Sequence, residues 1–458
     1  MTSSTTVQDA SQSDAIDLSA LQDRAASLIE AAKRAGADAA DTVVGASRSV
    51  SMEVRHGKLE ETDSSANTAF SLRVFVGQKS ASISTNGGGD VDALAARAVA
   101  MARVSPEDQH AGLAPQDRLA KTVPDLDLYD ETVPSVDALQ DLALTCEEAA
   151  LAVPGVAQSG GASAGHTVGA TVLATSTGFL GGYRASRFSN AVSVIAGEGD
   201  KMQRDYDFDS RRYHADMRSA DQIGKRAGQR AAARLNPQTL TPQKLPVIFD
   251  PRVARGLVSS LAGALNASSI VRKTSFLRDA MGEQIFPASI QIIDEPHLLR
   301  GASSRPFDGE GLYAQTLSLV EDGRVANWLL DGRTASELGL QSNARAARSG
   351  SSTSPSSTNL TLTAGTLSPE DLMASVGTAL YVNELIGQGV NLVTGDYSRG
   401  ASGHLIENGK IGPPINEVTI ASDLRTMFAS LVAANDLDKS FGTNAPTLLV
   451  AEMTIGGR

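Results

Sequence analysis

Cysteine is almost missing from this chain: Cys146 is the only one in 458 residues. A single thiol excludes intrachain disulfides and any thiolate zinc cluster, as expected of a protein kept in a reducing cytosol. Basic excess is also missing. Fifty-two acids stand against 40 bases, for a net charge of −12, and no basic cluster offers phosphate neutralisation, so nucleic acid is not an expected partner. The segment Met1 to Ala20 has neither a basic n-region nor an apolar run, so it reads as a loose polar tail and not a secretory signal. Ala149 to Tyr183 carries no Asp, Glu, Lys or Arg, but Ser159, Gly160, Gly161, Ser163, His166, Thr171 and Thr175 interrupt it too often for hydrocarbon. No membrane span is expected. What is present is enough for a folded core: hydrophobic residues make up 41% and charged residues 20%, and at ~150 residues per domain the length suggests two or three units.

Periodicity and turn chemistry outline the organisation. From Asp17 to Gly36, Leu18, Leu21, Ala25, Leu28, Ile29 and Ala32 recur at helical spacing. Thr42–His56 and Ala69–Thr85 are rich in Val, Ser, Thr and Phe and read as strands, the second run folded into a hairpin at Val76-Gly77-Gln78-Lys79. Asp90, Ser135 and Asp250-Pro251 are placed to start helices, and a further helix is expected from Ser219 to Leu235. Residues 106–134 form a polar connector, and strands are expected from about residue 154 to Ile195. Asn236-Pro237, Pro242 and Pro246 mark a boundary. The expectation is therefore a tail over 1–16, an N-terminal α+β domain over 17–236 and a C-terminal domain over 237–458. In the second half Glu321-Asp322-Gly323 and Asn408-Gly409 predict hairpins, Ser342–Thr358 a mobile loop without periodicity, Asn359–Thr363 a strand, and Ser368-Pro369 a helix start. The fold class expected is α+β: helices with a meandering sheet first, then a large antiparallel sheet.

Most motifs of chemistry are absent or weak. His56, His110, His166, His214, His297 and His404 are remote from one another, so no helical zinc pair is encoded, although distant ligands could still assemble. Gly161-Ala162-Ser163-Ala164-Gly165 matches a nucleophile-elbow string, but Thr167-Val168-Gly169-Ala170-Thr171-Val172 after it favours strand over the required helix. The Gly-Lys pairs starting at Gly57, Gly224 and Gly409 are followed by Leu, Arg and Ile, so there is no phosphate loop. Gly87-Gly88-Gly89 could cradle an anion or act as a connector, and Asp294, Glu295, Asp308 and Glu310 could act as acid and base or as solvated and capping groups.

Two dense constellations remain. One is Ser304 to Gly311, including Pro306, Phe307, Asp308 and Gly311; the other is Gly395 to Gly403, including Asp396, Tyr397, Ser398, Arg399 and Gly400. Each is either a saturated glycine-rich turn or a backbone-exposing loop that grips a peptide or partner, with Arg399 pairing a carboxylate and Tyr397 packing.

At these constellations the sequence resembles the TldD/PmbA family, and the likeness runs from about Ala20 to Gly457. The strings that carry it are Arg272-Lys273-Thr274-Ser275-Phe276-Leu277, Asp294-Glu295-Pro296-His297-Leu298, Pro306-Phe307-Asp308-Gly309-Glu310-Gly311, and Gln388-Gly389-Val390-Asn391 through Gly400. The family has a TldD branch with a helical His-Glu-x-x-x-His zinc motif and a late cysteine ligand, and a PmbA (TldE) branch without them. This sequence is similar to the second. Where the motif would fall it reads Gly256-Leu257-Val258-Ser259-Ser260-Leu261-Ala262-Gly263-Ala264-Leu265-Asn266, with no imidazole or carboxylate. No catalytic, cofactor or metal residue therefore carries over to this chain. The resemblance implies a cytoplasmic heterodimer with a TldD-like catalytic subunit that holds zinc and cleaves short or unfolded peptides. In the family such complexes process peptide precursors and remove an unstable antitoxin. A homodimer when the chain is alone, and a metallopeptidase with a non-standard site of its own, are the readings left open.

Overall fold

A computed structural model describes residues 16–457. The expected tail lies outside them except for Ile16, which is buried against the first helix cluster. Asp17 accepts the N–H groups of Ser19 and Ala20 and opens α1 (Leu18–Arg34), whose buried stripe of Leu21, Ala25, Leu28, Ile29 and Ala32 follows the helical period. Three strands follow, β1 (Ala39–Arg55), β2 (Lys58–Val76) and β3 (Lys79–Asn86). Asp90 then caps α2 (Val91–Val104) and Ser135 caps α3 (Val136–Leu151). A second meander, β4 (Val156–Thr175), β5 (Leu180–Ala196) and β6 (Gln203–Arg211), leads to α4 (Ala220–Ala233), capped by Ser219.

The two meanders are one sheet in the order β3-β2-β1-β4-β5-β6, antiparallel throughout and joined where β1 pairs with β4. One face is covered by helices, α1 and α2 over Val44, Leu72 and Val172, and α3 and α4 over Met52, Ala164 and Val194. Gly224 and Gly228 let α4 approach α3 closely: a Cβ on Gly224 would stand 2.2 Å from the Cys146 carbonyl oxygen. The elbow-like string at Gly161–Gly165 lies inside β4.

In the second half Asp250 caps α5 (Pro251–Ala264) after β7 (Gln243–Phe249), with Pro251 at its start, and α6 (Ala267–Val271) follows. The short strands β8 (Ile292–Asp294), β9 (Leu317–Glu321) and β10 (Arg324–Val325) precede α7 (Gly332–Glu337). Next come β11 (Ala346–Ser349), β12 (Ser352–Pro355), β13 (Leu360–Leu362) and α8 (Pro369–Val376). The chain finishes with β14 (Ala379–Ile386), β15 (Asp396–Glu407), β16 (Lys410–Asp423), α9 (Leu424–Ala429), β17 (Val432–Ala433), β18 (Thr443–Asn444) and β19 (Leu448–Gly456). Both expected hairpins are present, with Asp322-Gly323 and Asn408-Gly409 at positive φ as a two-residue turn demands.

Two expectations are corrected. The large antiparallel sheet is instead a small closed barrel, β16-β15-β14-β7-β19, closed where β19 meets β16, with β7 and β14 parallel; a separate five-stranded sheet runs β10-β9-β8-β13-β18. Hairpin signals fix only sequence neighbours, whereas closure pairs strands far apart in the chain. The segment Ser342–Thr358 is no free loop: it forms the hairpin β11–β12, and Arg345 at its start is completely buried, paired with Asp294 and donating to the Gln315 carbonyl at 2.6 Å. Among the described residues no helix is long and apolar enough to cross a membrane.

Candidate functional site

The uncovered face of the N-terminal sheet meets the second half at the Pro306–Gly311 segment. Phe307 inserts its ring edge-on between Phe179 and Tyr183, at 4.9 and 5.7 Å between centroids. Asp308 organises the turn behind it, accepting the N–H groups of Glu310 and Leu312 at 2.9 Å and of Ala346 at 3.1 Å. Gly311 sits at φ +82, and a Cβ there would come within 2.9 Å of the Phe179 ring. Glu310 accepts the Gly332 N–H at 2.8 Å at the start of α7.

Charge is concentrated at this seam. Arg348 of β11 donates to the Gly309 carbonyl at 2.6 Å and pairs with Asp41 of β1, which also pairs with Arg73 of β2. Burial acts to raise the Asp41 carboxyl, but the two guanidinium groups outweigh it and hold the pKa below its ordinary value. The opposite holds next door. Burial pushes Asp308 up, and burial with the neighbouring charges of Asp308 and Asp331 pushes Glu310 up to about 8. Glu310 lines a cavity of about 410 Å³ together with Gln109, His110, Arg118 and Ser336.

The structure thus turns Pro306, Phe307, Asp308 and Gly311 inward. Of the two readings of this segment the geometry resembles the saturated turn, its carboxylate and ring being engaged in internal contacts. The second constellation is a strand. Asp396 to Gly400 pair with Asp423 to Thr419 of β16, and on the other side Ser398 donates to the Gly389 carbonyl at 2.7 Å while Asn391 donates to that of Asp396 at 2.9 Å. No unpaired edge is left there for strand addition. Tyr397 is buried in the barrel core, which pushes its hydroxyl up to about 12. Asp396 and Ser398 are exposed, Arg399 is half-buried, and the Arg399 Nε is buried with no hydrogen-bond partner. The Asp396 carboxylate takes the Thr394 hydroxyl at 2.6 Å, not Arg399. Among the described residues no hydrogen bond or ring contact joins the two constellations.

An open edge does exist elsewhere, and sequence reading missed it. β3 covers only Ala69–Val76 of β2, so Lys58 to Thr68 forms the sheet's rim there, with residues 58–68 exposed apart from their pairing to β1. β6 was missed too: its Asp205, Asp207 and Asp209 are buried and meet Arg252 at 2.7 Å, Arg230 at 2.9 Å and Arg211 at 3.0 Å. Because Arg252 lies on α5, the first of these pairs ties the two halves together.

His166 and His214 both pack on Phe188, at 4.5 and 5.4 Å between ring centroids, while His297 contacts Tyr313, His404 approaches the Ala233 carbonyl, and His110 the Ser336 hydroxyl. Among the described residues no group of three or more His, Cys, Asp or Glu is placed to hold a metal. Helix α5, where a family zinc motif would stand, buries Ala254, Leu257, Val258, Leu261 and Ala264. Its other positions include Ser259, Ser260 and Gly263. These side chains do not fit a zinc ion.

An antiparallel sheet under four helices, joined by a buried charged seam to a closed barrel, defines an α+β architecture with known relatives. Three family profiles match in succession: PmbA/TldA metallopeptidase domain 1 over residues 40–102, the central domain over 129–235 and the C-terminal domain over 242–457. The chain is 35% identical over 425 residues to Metalloprotease PmbA of Escherichia coli O157:H7, covering 92% of this chain and 93% of that one. A crystal structure from Bacteroides thetaiotaomicron, described as a candidate modulator of DNA gyrase, superposes with a TM-score of 0.88 at 27% identity, covering 95% and 99% of the two chains. TldE from Thermococcus kodakarensis shares the fold, with a TM-score of 0.81 at 20% identity over 94% and 99%. This chain belongs to the PmbA/TldD metallopeptidase family, and within it is PmbA-like. The first two profiles share one sheet, β1–β3 coming from one and β4–β6 from the other.

Proposed function

We propose that this chain is the non-catalytic, PmbA/TldE-like subunit of a cytoplasmic heterodimeric metalloprotease. A TldD-like partner supplies the zinc, and the complex cleaves short or unfolded peptides and processes peptide precursors. The observation that carries the reading is α5: a member of a metallopeptidase family presents apolar and small residues where a metal would need imidazole and carboxylate. The exposed rim of β2 supports a partner, since its free N–H and C=O groups can take another strand. Asp396, Ser398, Arg399 and Gly400 are the exposed or half-exposed members of the second constellation, and in this reading they contact the partner or its peptide.

The name of the Escherichia coli relative favours a second reading, that the chain is itself a metallopeptidase with a non-standard site. Metal content separates the two. The purified chain should carry no stoichiometric zinc and should not hydrolyse unfolded peptides until a subunit bearing His-Glu-x-x-x-His is added. Zinc in the isolated chain together with chelator-sensitive hydrolysis would establish the second reading instead.

A further inference from the structure

A cavity of about 450 Å³ opens between β5 and the end of β6 on one side and the segments around Leu298–Ala302 and Asp438–Ser440 on the other. Five of its lining residues are cationic, Arg187, Arg211, Arg212, Arg300 and Lys439, in a protein whose net charge is −12. Three of the five have acidic partners. Arg211 pairs with Asp209 at 3.0 Å, Arg300 with Asp127 at 2.6 Å and Asp216 at 3.1 Å, and Lys439 with Glu295 at 2.9 Å.

Arg187 and Arg212 have none. Arg212 gives three of its five N–H donors to carbonyls, those of Ala302 at 2.7 Å, Ser186 at 3.2 Å and Gly301 at 3.4 Å. Arg187 is exposed at the cavity and makes no hydrogen bond or ion pair among the described residues. Burial and the nearby charge of Arg187 both disfavour the Arg212 cation. Asp438, the remaining carboxylate on the wall, is held by the Ser440 N–H at 2.9 Å and its charge acts on Arg255. Two guanidinium groups near each other with no carboxylate bonded to either cost free energy, and carbonyls alone do not neutralise them. A planar guanidinium is also the side chain best shaped to grip a two-oxygen acid group through paired N–H bonds.

We propose that this cavity is an oxyanion-binding site in which Arg187 and Arg212 hold a carboxylate or a phosphate group. Arg212 is fixed by its three carbonyls, so its position is set before the ligand arrives; Arg187 is free to close on it. The walls come from both halves of the chain, so a bound anion bridges the N-terminal sheet and the barrel half. The site stands whether or not the partner-subunit reading holds.

Calorimetric titration of the full chain with three probes tests it: inorganic phosphate, an N-acetylated dipeptide with a free C-terminal carboxylate, and the same dipeptide as its C-terminal amide. Binding of phosphate alone marks a phosphate-bearing ligand, and binding of the free acid but not the amide marks a peptide terminus. Either result supports the site. Arg187→Gln should weaken that binding by about tenfold or more, the worth of one charge-assisted contact, with no loss of melting temperature, because Arg187 braces nothing and its charge opposes that of Arg212. Arg212→Lys, which keeps the charge and loses the fork, should weaken it as well. Absence of binding by both acids at millimolar concentration, or binding unchanged in Arg187→Gln, overturns the proposal.

Discussion

Asp41 on β1 and Arg348 on β11 are 307 residues apart in sequence and form a buried ion pair across the seam between the two halves. Arg73 closes on the same carboxylate from β2, so one acid is the shared ion-pair partner of two largely buried guanidinium groups.

Removing that acid should therefore be expensive. Asp41→Ala is expected to lower stability by about 3–5 kcal/mol in urea denaturation, the usual cost of stranding buried charge. Because the folded-state pKa of Asp41 lies below its ordinary 3.8, its contribution is complete above that pH and drains away as pH falls through the folded value. A loss no larger than that of an exposed pair, about 1 kcal/mol, would show that the seam is held by other contacts.

Glu310 has the opposite sign. Its pKa rises from 4.5 to about 8 on folding, so the stability linked to its proton is full below 4.5 and is lost as pH rises through about 8. Glu310→Gln keeps an acceptor for the Gly332 N–H and removes the titration. Melting temperatures should converge for the two proteins at pH 5, and the variant should be the more stable at pH 9 by an amount on the order of a few kcal/mol. Parallel pH profiles would mean that Glu310 is ionised in the folded chain.

Phe307 is a buried anchor between Phe179 and Tyr183. Phe307→Ala should cost about 3–5 kcal/mol through the cavity left between Phe179 and Tyr183. A near-neutral result in thermal denaturation would indicate that the seam collapses to fill the space.

Arg399 offers a sharper test of the second constellation than Tyr397, whose burial makes truncation destabilising on packing grounds alone. With its Nε already unpartnered, Arg399→Met should leave stability within about 1 kcal/mol of the parent. If Arg399 meets a partner or peptide acid, the same variant should weaken co-purification with a TldD-like subunit or slow peptide turnover. Assembly and cleavage at parental levels would reduce this segment to an ordinary barrel strand.

Local structure was legible because its determinants are local. Asp90, Ser135, Asp250-Pro251 and Ser368-Pro369 each start the helix expected of them, and Asp322-Gly323 and Asn408-Gly409 each turn the expected hairpin. What escaped were features defined only by distant partners. The aspartates of β6 and the arginine of β11 look like surface charge until opposite charges arrive from elsewhere in the chain, and serines near Arg345 look like a loop until Asp294 buries it. The site divided along the same line. The Pro306–Gly311 string was visible as a dense motif, but its inward orientation depends on Phe179, Tyr183 and Ala346, while the cavity around Arg187 and Arg212 is assembled from three regions with no shared sequence signal.

The way the barrel closes also sets an order of events during synthesis. β19 is the strand that bonds to both β7 and β16, and β7 precedes it by some two hundred residues. Until Leu448 to Gly456 leave the ribosome, β7 and β16 each present a bare strand edge, and the apolar interior of Val247, Phe249 and Ile420 has no lid on that side. The six-stranded N-terminal sheet needs nothing beyond residue 211 for its own pairing and can form while the rest is still being made. Such a chain is exposed to aggregation in the interval between the two, and pulse-labelled nascent chains stopped before Leu448 should be bound by chaperones far more than those that extend past it.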